Sequence, residues 1–193
     1  MHDPMRIVAL LADAGLPMIF ITWPALLVAL IPTIAIEALL IQRRTHARIG
    51  KTFISTAAAN AVSTIVGVPM TWSVLFVFEM VVGATVPSLW GHSVLGGIVG
   101  FLISSPWIGP AENARWAVPL AVLVLLVPFY FVSLLIERAM IQHMIAADEP
   151  NVPIEDQIPA STVRAAVRDA NLLSYGILFL LTSVWLAYLL VRN

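Results

Sequence analysis

Four stretches of this chain are long and apolar enough to cross a lipid bilayer, and that feature leaves few folds open. A helix needs about 20 mostly apolar residues to cover a bilayer core of about 30 Å. Leu16 to Ile41 carries one charge, Glu37, and Phe53 to Val82 carries only Glu79. Ala117 to Ile136 and Leu172 to Val191 carry none. Runs of this kind read as helices, whose backbone groups are paired inside the segment where no water can pair them. The composition agrees: 60% of residues are hydrophobic and 11% charged, against about 45–50% and about 25% in soluble domains.

The expected fold is an all-α integral membrane protein, a single transmembrane domain over residues 1–193. Four transmembrane helices, at 16–41, 53–82, 117–140 and 172–191, form two similar helical hairpins with an outer interfacial or re-entrant segment, 84–115, between them. Within that segment Ala84 to Ser105 is uncharged but diluted by Gly91, Gly96, Gly97, Gly100, Pro87, His92 and several serines. A full fifth span there is the alternative. The chain opens at Met1, with no cleaved leader expected, and Asp3 to Ala14 reads as a short amphipathic helix lying on the outer surface.

The distribution of basic residues orients the spans. The first connector, Gln42 to Thr52, holds Arg43, Arg44, Arg48 and Lys51; the third, Glu137 to Asn171, holds Arg138, Arg164 and Arg168. Those seven face Arg6, Arg115 and Arg192 on the other side, whereas a five-span chain splits them six to four. Both connectors are therefore expected in the cytoplasm and both termini outside, in a bacterial inner membrane. The same topology puts Trp23, Trp72, Trp90, Trp107, Trp116 and Trp185 in the outer half, where amphipathic rings suit the headgroup region.

An internal repeat carries the candidate site. Ile36-Glu37-Ala38-Leu39-Leu40-Ile41-Gln42 aligns with Ile136-Glu137-Arg138-Ala139-Met140-Ile141-Gln142 at an offset of 100 residues. Ala59-Asn60-Ala61-Val62-Ser63 aligns with Ala170-Asn171-Leu172-Leu173-Ser174 at an offset of 111. Each half thus reads as a helix ending in I-E-x-x-x-I-Q, a connector, and a helix opening with A-N-x-x-S. Glu37 and Asn60, and Glu137 and Asn171, are expected to clasp each hairpin near the cytoplasmic face, since a carboxyl group and a carboxamide satisfy one another where water is scarce. The same four residues are also the candidates for binding a cation or relaying protons. Ala59, Ser63 and Gly67 make a small-residue ridge for close helix packing, and Gly96 with Gly100 offers another. Pro24, Pro32, Pro69, Pro119 and Pro128 fall within spans, where each removes a backbone hydrogen bond.

Other chemistry is sparse. With no cysteine, thiolate metal sites and cysteine nucleophiles are excluded. His2, His46, His92 and His143 show no metal-binding spacing, and no metal or cofactor is expected. Gly91-His92-Ser93-Val94-Leu95 departs from a nucleophile elbow because Leu95 stands where glycine is required. A net charge of −1 gives no basic field for nucleic acid. The connector from Ala147 to Pro159, with Asp148, Glu149, Glu155, Asp156 and three prolines, reads as a solvated linker. The span centres carry nothing more polar than Thr71, Ser73 and Tyr130, which disfavours active transport. The sequence therefore points to a non-catalytic accessory or scaffold subunit acting through helix packing. Its expected partners are the lipid bilayer and either further copies of itself or a membrane complex. An oligomeric channel or facilitator using Glu37, Asn60, Glu137 and Asn171 is the alternative.

Overall fold

The structure is a computed structural model that describes residues 18–83, 98, 101, 115–146 and 158–192. Four long helices carry it: α1 (Met18–Thr45), α2 (Ile49–Gly83), α3 (Ala117–Ala146) and α4 (Ala160–Arg192). Three of them, α2, α3 and α4, are long and apolar enough to cross a membrane. The surface is that of a protein made for lipid: Ile31, Ile65, Val74, Leu135, Leu180 and Val184 are each at least 60% exposed. The amphipathic stretch 3–14, the linker 147–157, Gly96, Gly100, Trp90 and Trp107 lie outside the described residues. So does the question of whether 84–105 spans the membrane.

Two helices begin ahead of their apolar runs. α2 begins at Ile49, four residues before Phe53, and α4 begins at Ala160, twelve residues before Leu172. The α4 extension is amphipathic rather than greasy. Val163, Ala166, Val167, Ala170, Asn171 and Ser174 are buried while Arg164 and Arg168 are exposed, which is the spacing of one helix face. Its first turn is anchored by Thr162 and Val163, whose backbone N–H groups donate to the Pro159 carbonyl at 2.9 and 3.2 Å. Between α1 and α2 the chain turns in three residues, and His46 takes a left-handed conformation (φ 54°) to end α1. Its N–H donates to the Gln42 carbonyl at 2.8 Å, closing the last turn.

The chain divides into two compact units. One comprises Ala25–Val68 and Phe129–Leu178. Its core gathers Ile41, Ala59, Leu134, Ile141, Ile145, Val163, Ala166, Val167 and Ala170 from all four helices. Burial follows the repeat closely. Thr52, Ser55, Thr56, Ala59, Asn60 and Ser63 on α2 are buried, and so are Val163, Ala166, Val167, Ala170, Asn171 and Ser174, each 111 positions later on α4. Two end contacts brace the connectors. Lys51 Nζ donates to the Ile145 carbonyl at 3.0 Å, capping the end of α3, and Arg44 pairs with Asp169 at 2.8 Å. Gly67 lets α2 approach α3: a Cβ placed there would meet Val132 Cγ1 at 3.2 Å.

The other unit comprises Met1–Pro24, Pro69–Pro128 and Phe179–Asn193. Ala117, Pro119, Ala121 and Leu125 are buried on α3, with Thr71 buried on α2. Trp72 stacks on Phe76, and an open apolar groove is lined by Leu75, Leu120, Val124 and Phe179. Three of the four unit boundaries fall at Pro24, Pro69 and Pro128, residues that cannot donate a backbone hydrogen bond.

Candidate functional site

The polar residues of the repeat meet inside the first of these units, and they are bonded reciprocally. Glu37 on α1 and Glu137 on α3 are each only 1% exposed. Asn60 Nδ2 donates to Glu37 Oε2 at 2.7 Å, and Asn171 Nδ2 donates to Glu137 Oε2 at 2.7 Å. Each amide also donates to the backbone carbonyl one turn earlier on its own helix, Thr56 at 3.1 Å and Val167 at 3.2 Å. The other oxygen of each carboxyl group faces the opposite half of the chain. Ser174 Oγ on α4 lies 2.5 Å from Glu37 Oε1, and Ser63 Oγ on α2 lies 3.0 Å from Glu137 Oε1.

Helix geometry explains the exchange. Residues three apart lie on the same face, so an Asn-x-x-Ser segment presents an amide and a hydroxyl side by side. On α2 the amide takes the carboxyl group of α1 and the hydroxyl that of α3; on α4 the amide takes that of α3 and the hydroxyl that of α1. The serines are also tied to their own asparagines through backbone carbonyls, Ser63 to Asn60 at 3.0 Å and Ser174 to Asn171 at 3.1 Å. Six side chains therefore form one closed ring that touches every helix. Leaving a buried donor unpaired costs roughly 1–3 kcal/mol, so each contact constrains the register of the helices that share it.

The surroundings are polar on one side and greasy on the other. Ser133 lies one turn before Glu137 on α3, and Tyr175 follows Ser174 on α4. Tyr175 meets Tyr130 edge-on at 5.4 Å between ring centres. Ile41 and Ile141, both wholly buried, pack one turn beyond the two glutamates. No basic side chain among the described residues bonds to either carboxyl group. Of the buried polar atoms without a hydrogen-bond partner, Asn171 Oδ1 and Thr56 Oγ1 lie on the helices beside the ring, and Arg138 Nε belongs to the residue after Glu137.

The four candidates Glu37, Asn60, Glu137 and Asn171 thus stand together. Sequence reasoning assigns Ser63 to the packing ridge and Ser174 only to the repeat, and so misses that each reaches across to the other half. The signal was present in the repeated spacing of the motif itself, since Ser63 and Ser174 occupy equivalent positions three residues after an asparagine. Ala59, Ser63 and Gly67 are all buried along one face of α2. His46 and His143 are exposed, and no group of three or more metal-ligating side chains occurs among the described residues. The chain matches no family model, no curated protein and no solved structure.

Proposed function

We propose that this chain is a multi-pass membrane protein whose four helices cross the bilayer as two like hairpins, and that its role is non-catalytic. It acts as an accessory or scaffold subunit, presenting an apolar exterior to lipid and to other membrane-embedded helices. The observation that carries this reading is the six-residue ring, which ties all four helices at one level. A rigid frame of this kind suits a part that others pack against. The arginine-rich connectors support a cytoplasmic placement of both connectors and an outside placement of both ends. Purification from native membranes in mild detergent, with mass spectrometry of what accompanies the chain, tests the role. A membrane protein recovered in fixed proportion, whose own abundance falls when this chain is deleted, is the expected result. Recovery of the chain alone, with no change in any other membrane protein on deletion, overturns it.

A second reading is favoured by a specific observation: two buried carboxyl groups to which no basic side chain among the described residues is bonded. Ionisable groups within membranes are costly and usually serve transport or proton transfer. On that reading the chain is an oligomeric channel or facilitator using Glu37, Asn60, Glu137 and Asn171. Ion flux into liposomes containing the purified chain, absent for Glu37→Gln with Glu137→Gln, would favour it over the scaffold.

A further inference from the structure

The asparagines and serines of the ring make eight polar contacts, and counting hydrogens shows that they lack two. Each asparagine amide has two hydrogens and uses both, one on a carboxyl oxygen and one on a backbone carbonyl. Each serine hydroxyl has a single hydrogen but two oxygens within reach. Ser63 Oγ lies 3.0 Å from the Asn60 carbonyl and 3.0 Å from Glu137 Oε1. Ser174 Oγ lies 3.1 Å from the Asn171 carbonyl and 2.5 Å from Glu37 Oε1. A carbonyl and an ionised carboxylate can only accept. With both glutamates ionised, one contact at each serine would hold no hydrogen at all. A proton on Oε1 of each glutamate completes both chains: the carboxyl group donates to serine, and serine donates to the backbone carbonyl.

Neighbouring polar atoms do not supply the missing hydrogens. Asn171 Oδ1 can only accept, and it accepts from nothing, while the buried Thr56 hydroxyl one turn before Asn60 bonds to no partner and so gives its hydrogen to neither serine contact. Of the basic residues nearby, Lys51 and Arg44 engage the Ile145 carbonyl and Asp169, and Arg138, next after Glu137 on α3, has a buried Nε that bonds to neither carboxyl group. The other titratable groups facing the ring are Tyr175 on α4 and, behind it, Tyr130 on α3. Apart from Glu37 itself, α1 and α2 present none among the described residues. The oxygen–oxygen separations of 2.5 and 3.0 Å at the two serines are hydrogen-bond lengths, which a proton fills and an interposed metal ion does not.

We propose that Glu37 and Glu137 form a proton-binding site inside the membrane, holding two protons within the ring of Asn60, Ser63, Asn171 and Ser174. The site goes beyond the scaffold reading and does not depend on it. Its ligand is the proton. Glutamine reproduces the protonated state, since its amide donates to serine where the carboxyl proton does and its carbonyl accepts from asparagine. Infrared spectra of the full chain in detergent, at neutral and alkaline pH, provide the test. Wild type is expected to show a protonated-carboxyl C=O band at neutral pH that shifts in heavy water and fades as the pH rises. Glu37→Gln and Glu137→Gln each remove about half of that band, and the double variant removes it, while all remain folded. Absence of the band in wild type at neutral pH overturns the proposal whatever the variants do. So does a band unchanged in the double variant. A thermal midpoint that rises with sodium or potassium in wild type but not in the double variant also overturns it, in favour of a metal cation.

Discussion

Asn60 has no hydrogen to spare, and neither has Asn171; both amide hydrogens of each are engaged, so neither residue can compensate for a lost neighbour. Replacing Glu37 by leucine leaves Asn60 and Ser174 facing a methyl group, and the expected loss is about 1–3 kcal/mol of unfolding free energy in detergent. Glu37→Gln keeps both contacts and is expected to stay within about 0.5 kcal/mol of wild type. The same pair of outcomes is expected at Glu137. The serines provide a sharper check on reciprocity: Ser63→Ala and Ser174→Ala should lose similar amounts, about 0.6–1 kcal/mol each. A marked inequality between them would show that the two halves do not share the ring evenly. The carboxyl–amide pairs were legible in the sequence because each joins two helices that follow one another across a single connector. The serine contacts were not. They depend on how one helix pair packs against the other, which no spacing within a single pair reveals.

At the level of elements, hydropathy marks where a helix is greasy rather than where it begins. The first three turns of α4 escape it because Arg164, Arg168 and Asp169 alternate with Val163, Ala166, Val167 and Ala170, and only the buried face is apolar. The burial of small residues on α2 was legible from the ridge Ala59, Ser63, Gly67, but the partner of that ridge was not. Gly67 sits where α2 comes nearest to Val132 of α3. Because a β-branched valine in a helix has essentially one rotamer, it yields little, and Gly67→Ala is expected to cost about 1 kcal/mol. Gly176 on α4 is the control: a Cβ there meets nothing within 4 Å. Gly176→Ala is expected to gain about 0.5–1 kcal/mol through helix propensity alone. Thermal or denaturant unfolding of the two variants in one detergent compares them directly.

For the whole molecule, the exposed apolar residues on every helix and the charged residues at the connectors fit a chain held in a bilayer with its connectors in water. A reporter fused after Asn193 that works only outside the cytoplasm is expected to be active; activity of a cytoplasm-only reporter at that position would invert the proposed orientation. Cysteines at Ser88 and Ser105 are both expected to react with an impermeant reagent from outside, whereas labelling from opposite sides would establish a fifth span. The exchange of serines between the two halves also bears on how the chain is made. A ribosome delivers α1 and α2 first, and at that moment Glu37 has Asn60 but lacks Ser174, while Ser63 awaits Glu137. The early half is thus left incomplete until the late half arrives, and a chain stopped after Gly83 carries an unfinished polar face for quality-control proteases to find. Supplying α3 and α4 as a separate polypeptide would finish that face, and rescue of the fragment by its missing half is how maturation of this protein would reveal its dependence on order of synthesis.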